Sequence, residues 1–218
     1  MAHNRNSVLR LSRYKNALYT LKRLGFVRVF SDNLADATGV SPARVRKDFS
    51  LFGITGNRRG GYRIDELIER VNDILGKNRI HNCVVIGAGK IGKALLSYGG
   101  LQSERIRVVA GFDIDPRTFK RRAKVPVLPL DELEDVVRKH NVRVGIIAVP
   151  EVAAQQAFDL LVSAGVEGIL NFAPVGLIGP DNVVVTNVNL AAELENLIYF
   201  INVADRADPD ATSDDTPA

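Results

Sequence analysis

Apolar residues recur at helical spacing between Ser7 and Leu24, at Leu11, Tyr14, Leu18 and Leu21, with Gly25 placed as a C-terminal cap. Residues 1–6 carry no such pattern and predict an unstructured lead-in. Two short helices are predicted next. Ser31 or Asp32 caps the first, Gly39 supplies a turn, Ser41 caps the second, and Pro42 takes its first position, where a missing N–H costs nothing. In the second helix Val45, Phe49 and Phe52 fall at i, i+4 and i+7 and must face a core, with Ala35 small enough to let the helices approach. Ala43, Arg46, Lys47 and Ser50 then point outward, and Arg44 and Asp48 are spaced to pair on the flank. A tight glycine turn between two such helices makes a helix-turn-helix. Residues 53–61 hold four glycines and Arg58-Arg59 ahead of Tyr62-Arg63-Ile64, which predicts a hairpin wing. Asp65 opens a further amphipathic helix that Gly76 closes, and Lys77 to His81 reads as a linker.

From there the period changes. Val84-Val85-Ile86 is a β-branched run that stops at Gly87-Ala88-Gly89-Lys90-Ile91-Gly92, and an apolar-periodic segment follows at once. Strand, tight turn and helix are the context in which G-x-G-x-x-G means a dinucleotide site. The first glycine permits the turn, the second lets a pyrophosphate approach the backbone, and the third lets helix and strand pack closely. The phosphates would sit on free N–H groups at the positive end of the helix dipole. A second strand, Ile106 to Phe112, ends in Asp113, roughly 20 residues past the last glycine, where the acid that binds the adenosine ribose belongs. Strands at 125–128, 142–149, 168–171 and 183–186 alternate with helices at 131–139, capped by Asp131, and 153–164. This alternation predicts an α/β chain, its second part a Rossmann doubly wound parallel sheet. Ligands in such sheets bind beyond the carboxyl ends of the strands, which places Val149, Pro150, Asn171, Phe172, Ala173 and Pro174 beside the cofactor. A last helix from Leu190 is apolar at Leu194, Leu197, Ile198 and Ile201, and the acidic residues 205–218 predict a disordered tail.

Charge sharpens this division. Residues 1–80 carry 16 Lys+Arg against 7 Asp+Glu, whereas the remaining 138 carry 13 against 18. A basic first third joined to an acidic remainder suggests a nucleic-acid module attached to something else. On the outward helix face, arginine suits guanine and small residues permit close approach in a major groove, so Ser41, Ala43, Arg46, Lys47 and Ser50 are candidate DNA contacts. The wing adds Arg58, Arg59 and Tyr62, for phosphates or a minor groove. The predicted domains are 1–80 (winged helix-turn-helix), 81–189 (dinucleotide-binding), 190–204 (C-terminal helix) and 205–218 (tail). Cys83 is the single cysteine, so no intrachain disulfide forms and a cytoplasmic location is expected. His3, His81 and His140 have no metal spacing, and no apolar run reaches the roughly 20 residues of a membrane span. No metal and no membrane partner are therefore expected. An NAD-dependent oxidoreductase would share the fingerprint, but it needs a catalytic acid or base over the nicotinamide, and no His or Lys stands in such a setting. No catalytic residue is assigned, and the chain is not expected to be an enzyme.

The chain resembles the Rex family, the redox-sensing transcriptional repressors of bacteria. The resemblance runs from about Ser7 to Asn202 and rests on Val45-Arg46-Lys47-Asp48 with Phe52-Gly53, Gly61-Tyr62, the glycine fingerprint, Phe112-Asp113, Val149-Pro150 with Ala154-Gln155, and Asn171-Phe172-Ala173-Pro174. It implies a homodimer in which each C-terminal helix reaches into the partner subunit. It also implies a Rossmann site for which NADH and NAD⁺ compete, and an NADH-bound form that closes and releases a palindromic operator. Tyr98 is the family tyrosine expected to exchange partners in that switch. Its expected counterparts depart from the pattern, since Asn16 replaces an arginine of the first helix and Asn189 an aspartate before the last. A contact between them would be a neutral hydrogen bond, worth roughly 0.5–1.5 kcal/mol where a charged one is worth 1.5–3, which predicts a softer switch.

Overall fold

The computed structural model describes residues 4–57 and 59–207, with side chains to residue 203. The chain divides into two compact units, Met1–Ile80 and His81–Ala218.

The first unit holds α1 (Arg5–Arg23), β1 (Arg28–Val29), α2 (Ser31–Thr38), α3 (Pro42–Leu51), β2 (Tyr62–Arg63) and α4 (Ile64–Ile74). Helix α1 begins earlier than its apolar period suggests, inside the expected lead-in, because the Asn4 side chain accepts the Asn6 N–H and caps it. Neither Ser31 nor Asp32 caps α2. The cap position is Phe30, whose N–H donates to Asn33 Oδ1 at 2.8 Å. Ser41 does cap α3, with Pro42 at its start. Val45, Phe49, Phe52 and Ala35 enter a core with Leu11, Tyr14, Leu18, Ile64, Leu67 and Val71. Within the predicted wing Asn57 and Gly61 exchange two backbone hydrogen bonds as an antiparallel bridge. The longer pairing is not local: Tyr62–Arg63 pairs antiparallel with Arg28–Val29, which precedes the helix pair in the chain. Two-residue strands carry no readable period, and the aromatic ring of Tyr62, edge-on to Phe49 at 5.2 Å, is what docks this segment.

The second unit contains β3 (His81–Ile86), α5 (Lys90–Ser97), α6 (Gly100–Ser103), β4 (Ile106–Asp113), β5 (Val127–Pro129), α7 (Leu133–His140), β6 (Val144–Ile147), α8 (Glu151–Ser163), β7 (Gly168–Asn171), β8 (Val184–Asn187) and α9 (Leu190–Ala207). The six strands are all parallel in the order β5-β4-β3-β6-β7-β8. Both faces of the sheet are buried. Val84, Ile86 and Phe112 pack with Leu133 and Val137 of α7 and with Phe158 and Leu161 of α8, and Cys83, Val85 and Ile146 pack with Leu95 and Leu96 of α5 on the other side. Burial pushes the Cys83 thiol up to about 12, so it is an inert core residue.

Several boundaries move. His81 belongs to β3 and not to a linker, and β6 is shorter than its apolar run because Val142 and Val149 flank it. Helix α7 starts through a 3₁₀ turn at Leu130–Glu132, so Asp131 is not its cap. Helix α8 begins at Glu151, and β8 is shifted by one residue. Helix α9 continues to Ala207, through the first residues assigned to the tail, and residues 208–218 lie outside the described ones. No described helix is long and apolar enough to cross a membrane.

Candidate functional site

The order of the sheet reverses between β3 and β6, and the chain leaves their carboxyl ends at Gly87 and Ala148. Gly87 has φ +100°, and a Cβ there would overlap the Ala148 carbonyl oxygen. Gly92 in the first turn of α5 approaches the Gly87 carbonyl so closely that a Cβ would collide with its oxygen. At Gly89 the opposite holds, since nothing lies within 4 Å of the Cβ position. Two glycines therefore close the turn and the one between them leaves its outer surface bare. The first intrahelical bond is Lys93 N–H to Gly89 O at 2.9 Å, so the N–H groups of Lys90, Ile91 and Gly92 have no acceptor one turn back in the helix and are placed for an external one.

A cavity of about 290 Å³ opens beside this turn, walled by Gly87, Gly89, Ile114, Val149, Pro150 and Ala153 among others, with Asp113 and Gln156 as its polar side chains. The Asp113 carboxylate accepts the Ala88 N–H at 2.6 Å and the Asp115 N–H at 2.9 Å, which fixes it at the rim. Gly87, Gly89, Asp113, Val149 and Pro150 are thus brought together; Lys90 and Ile91 are exposed on α5, and Ala88 is buried. Asn171 is placed differently from expectation. Its side chain is fully buried, donating to the Ala173 and Val175 carbonyls and to Asn187 Oδ1 while accepting the Ala173 N–H. It holds the turn after β7, and Asn171, Phe172, Ala173 and Pro174 are not among the cavity walls. Ile114, Ala153 and Gln156 escaped the sequence reading. Ala153 and Gln156 follow Pro150 at helical spacing, about one and two turns on.

The basic unit presents a second surface. Ala43, Arg46, Lys47 and Ser50 are all exposed on α3, and a crevice of about 510 Å³ separates Arg46 from Asn57, Gly61 and Tyr62. Asn57 Oδ1 accepts the Arg59 and Gly60 N–H groups and shapes the turn that carries Arg59; Arg58 lies outside the described residues. Ser41 uses its hydroxyl as the helix cap, and Tyr62 is half-buried against Phe49. Asp48 does not pair with Arg44 on the surface. It is buried, taking two bonds from the Arg10 guanidinium at 2.6 and 2.7 Å and one from the Tyr14 hydroxyl at 2.8 Å. Burial alone would raise its pKa, but the bonds from Arg10 and Tyr14 outweigh that and hold it below the ordinary 3.8. Tyr14 is pushed up to about 12, first by burial and then by the carboxylate. This triad ties α3 to α1.

Residues 5–50 match the model of a family described as putative DNA-binding protein N-terminus, and residues 78–175 that of a CoA binding domain. Over 201 residues the chain is 44% identical to the redox-sensing transcriptional repressor Rex of Desulforamulus reducens, covering 92% of this chain and 96% of that protein. The chain belongs to the Rex family. The Rex of Carboxydothermus hydrogenoformans is 45% identical over 196 residues, 89% of this chain and 94% of that one. Two solved structures of the Rex-family repressor RSP share the fold end to end. The complex with β-NAD⁺ and operator DNA has TM-score 0.87 at 31% identity, covering 97% of this chain and 100% of its own. The complex with β-NADH has TM-score 0.85 at 32% identity, covering 96% and 99%. In this Rex-family chain the three residues expected to form a switch are all at the surface. Asn16 is exposed on α1, Tyr98 is exposed at the end of α5, and Asn189 accepts the Ala192 N–H at 3.1 Å at the start of α9.

Proposed function

We propose that the chain is a repressor whose basic unit binds a palindromic operator as part of a homodimer and whose Rossmann unit binds NADH and NAD⁺ in competition, NADH weakening the hold on DNA. The observation that carries this reading is the joining, in one Rex-family chain, of an exposed Arg46-Lys47 helix face to a glycine turn with an open Gly89 and a rim carboxylate. The turn fits a dinucleotide. Gly89 would admit the pyrophosphate, the first N–H groups of α5 would receive its charge, Asp113 the ribose hydroxyls, and Val149 and Pro150 would wall the remainder. The cofactor supplies a redox-dependent charge and ring shape, and the protein's part is to bind and discriminate. We assign it no catalytic residue and place its work in the cytoplasm. Helix α9 supports the dimer, since Leu190, Leu194, Leu197, Ile198, Tyr199 and Phe200 are each more than half exposed in the single chain, a patch that calls for a partner surface.

The test is operator affinity at one fixed salt concentration, with and without saturating NADH, using a DNA fragment the protein itself selects from random sequence. Binding weakened by NADH and restored by NAD⁺ is the expected result, and indifference to both cofactors would refute the reading. Replacing Arg46 with Ala should cost about 1–3 kcal/mol and relax preference at one base pair of each half-site. With neutral side chains at Asn16 and Asn189, the NADH effect should grow when Asn16→Arg and Asn189→Asp are combined, by more than the sum of the single changes.

Cofactor choice gives a further prediction. Asp113 would repel a 2′-phosphate, and among the basic residues that follow, Arg117 pairs with Asp115 and Arg121 with Glu132. NADH should therefore bind at least about tenfold more tightly than NADPH, about 1.4 kcal/mol. Asp113→Asn should narrow the gap. Equal affinities in titration calorimetry of the wild type would remove Asp113 from this role.

A further inference from the structure

Two cavities adjoin Gly56, Asn57, Gly61 and Tyr62, which line both. The inner one also reaches Arg46 of α3. The outer one is an opening of about 460 Å³ whose charged walls are Arg28, Arg63, Arg70 and Glu66. Arg28 and Arg63 stand directly opposite each other in the β1–β2 pair, a placement of like charges that weakens a sheet. Arg28 Nη1 donates to the Gly60 carbonyl at 2.6 Å and anchors the turn. Arg63 reaches Glu66 at 3.2 Å, but both side chains are more than 60% exposed, so this pair is weak and free to exchange. The Arg70 guanidinium closes in from α4, its Nη2 4.0 Å from the Cβ position of Gly53. Three guanidiniums and one carboxylate give a net charge of +2 around one concave, solvent-open wall.

A turn that lies along a minor groove has a phosphodiester strand on either side. We propose that Arg63 and Arg70, with Arg28 holding the turn, bind the phosphodiester strand on the outer side of this turn, extending the operator contact beyond the recognition helix without reading sequence. The proposal rests on the DNA-binding reading above. A net charge of +2 matches two singly charged phosphodiesters, whereas a free polyphosphate brings a higher charge onto a wall that also carries Glu66.

Operator affinity would be measured against salt for the wild type, R63Q/R70Q and R63K/R70K. Each phosphate that the protein no longer neutralises should make the slope of log affinity against log salt shallower by roughly 0.9, about an eightfold fall in affinity at 0.1 M relative to 1 M. In R63Q/R70Q the fall should be the same for every operator variant, and the lysine pair should retain most of the slope. Neutral methylphosphonates in the outer strand should reproduce the effect with unaltered protein, which keeps the test independent of folding. A slope unchanged in R63Q/R70Q and on the neutralised DNA would overturn the proposal, as would inhibition by inorganic triphosphate that disappears in R63Q/R70Q while the slope stays. Failure of the wild type to bind any operator would instead overturn the parent reading.

Discussion

Asp48→Ala should unfold the DNA-binding unit at temperatures where the wild type is intact and abolish operator binding, while NADH binding by the other unit persists. The carboxylate lies buried at the junction of α1 and α3 and satisfies two guanidinium hydrogens and the Tyr14 hydroxyl. Removing one partner of such an arrangement leaves a guanidinium with little access to water and a buried hydroxyl without an acceptor, a cost of about 3–5 kcal/mol. A unit of 80 residues has only about 5–10 kcal/mol of stability in all. Thermal unfolding by circular dichroism, followed alongside cofactor titration, would show the low-temperature transition moving while the NADH affinity stays. The pH dependence has a definite sign. Asp48 has a folded pKa below the ordinary 3.8, so its stabilisation is complete above that value and is lost as pH falls through the lower, folded one. The gap between wild type and Asp48→Ala should therefore be constant near neutrality and close only in solutions more acid than 3.8. A gap that closed between about pH 5 and 7, the range of an ordinary histidine, would mean that some other group is responsible.

The glycine turn yields a contrast between two substitutions of the same kind. Gly89→Ala should leave the fold intact, because its backbone (φ −70°, ψ −160°) is open to any residue and nothing lies near the added methyl. The methyl would nevertheless stand where the pyrophosphate must approach, so NADH affinity should fall on the order of 100-fold, about 2.7 kcal/mol. Gly92→Ala should do the reverse in order of cause. Its methyl would collide with the Gly87 carbonyl oxygen, α5 would have to leave the sheet, and stability would drop by about 3 kcal/mol before any ligand is considered. Measured together, denaturant midpoints and NADH affinities separate the two. Normal NADH binding by G89A would move the pyrophosphate away from this turn.

The local signals in the chain decided a great deal. The period of 3.6 in α1, α3 and α4, the cap and proline at Ser41-Pro42, and the glycine spacing at 87–92 are set by residues within one or two turns of each other, so they were legible without a third dimension. The doubly wound parallel class was legible too, from the alternation of short apolar strands with helices, whereas the order of the strands comes from the structure. What stayed hidden depends on residues far apart in the chain. Asp48 and Arg44 have the spacing of a surface pair, worth a few tenths of a kcal/mol, and that weak preference loses to a buried set of donors on Arg10 and Tyr14, 38 and 34 residues away. Asn171 looked like a ligand contact because it ends a strand at the right edge of the sheet. Only packing shows that its amide is consumed by Ala173, Val175 and Asn187 in holding the turn. The pairing of Arg28 with Arg63 is likewise invisible in sequence, because a two-residue strand has no period and its partner is chosen by the docking of Tyr62 on Phe49. Sequence determined which elements exist and which turn the glycines shape; tertiary structure alone decided which polar side chains line the cavity beside that turn and which hold the fold together, since that choice is made by burial and by partners that only folding brings within reach.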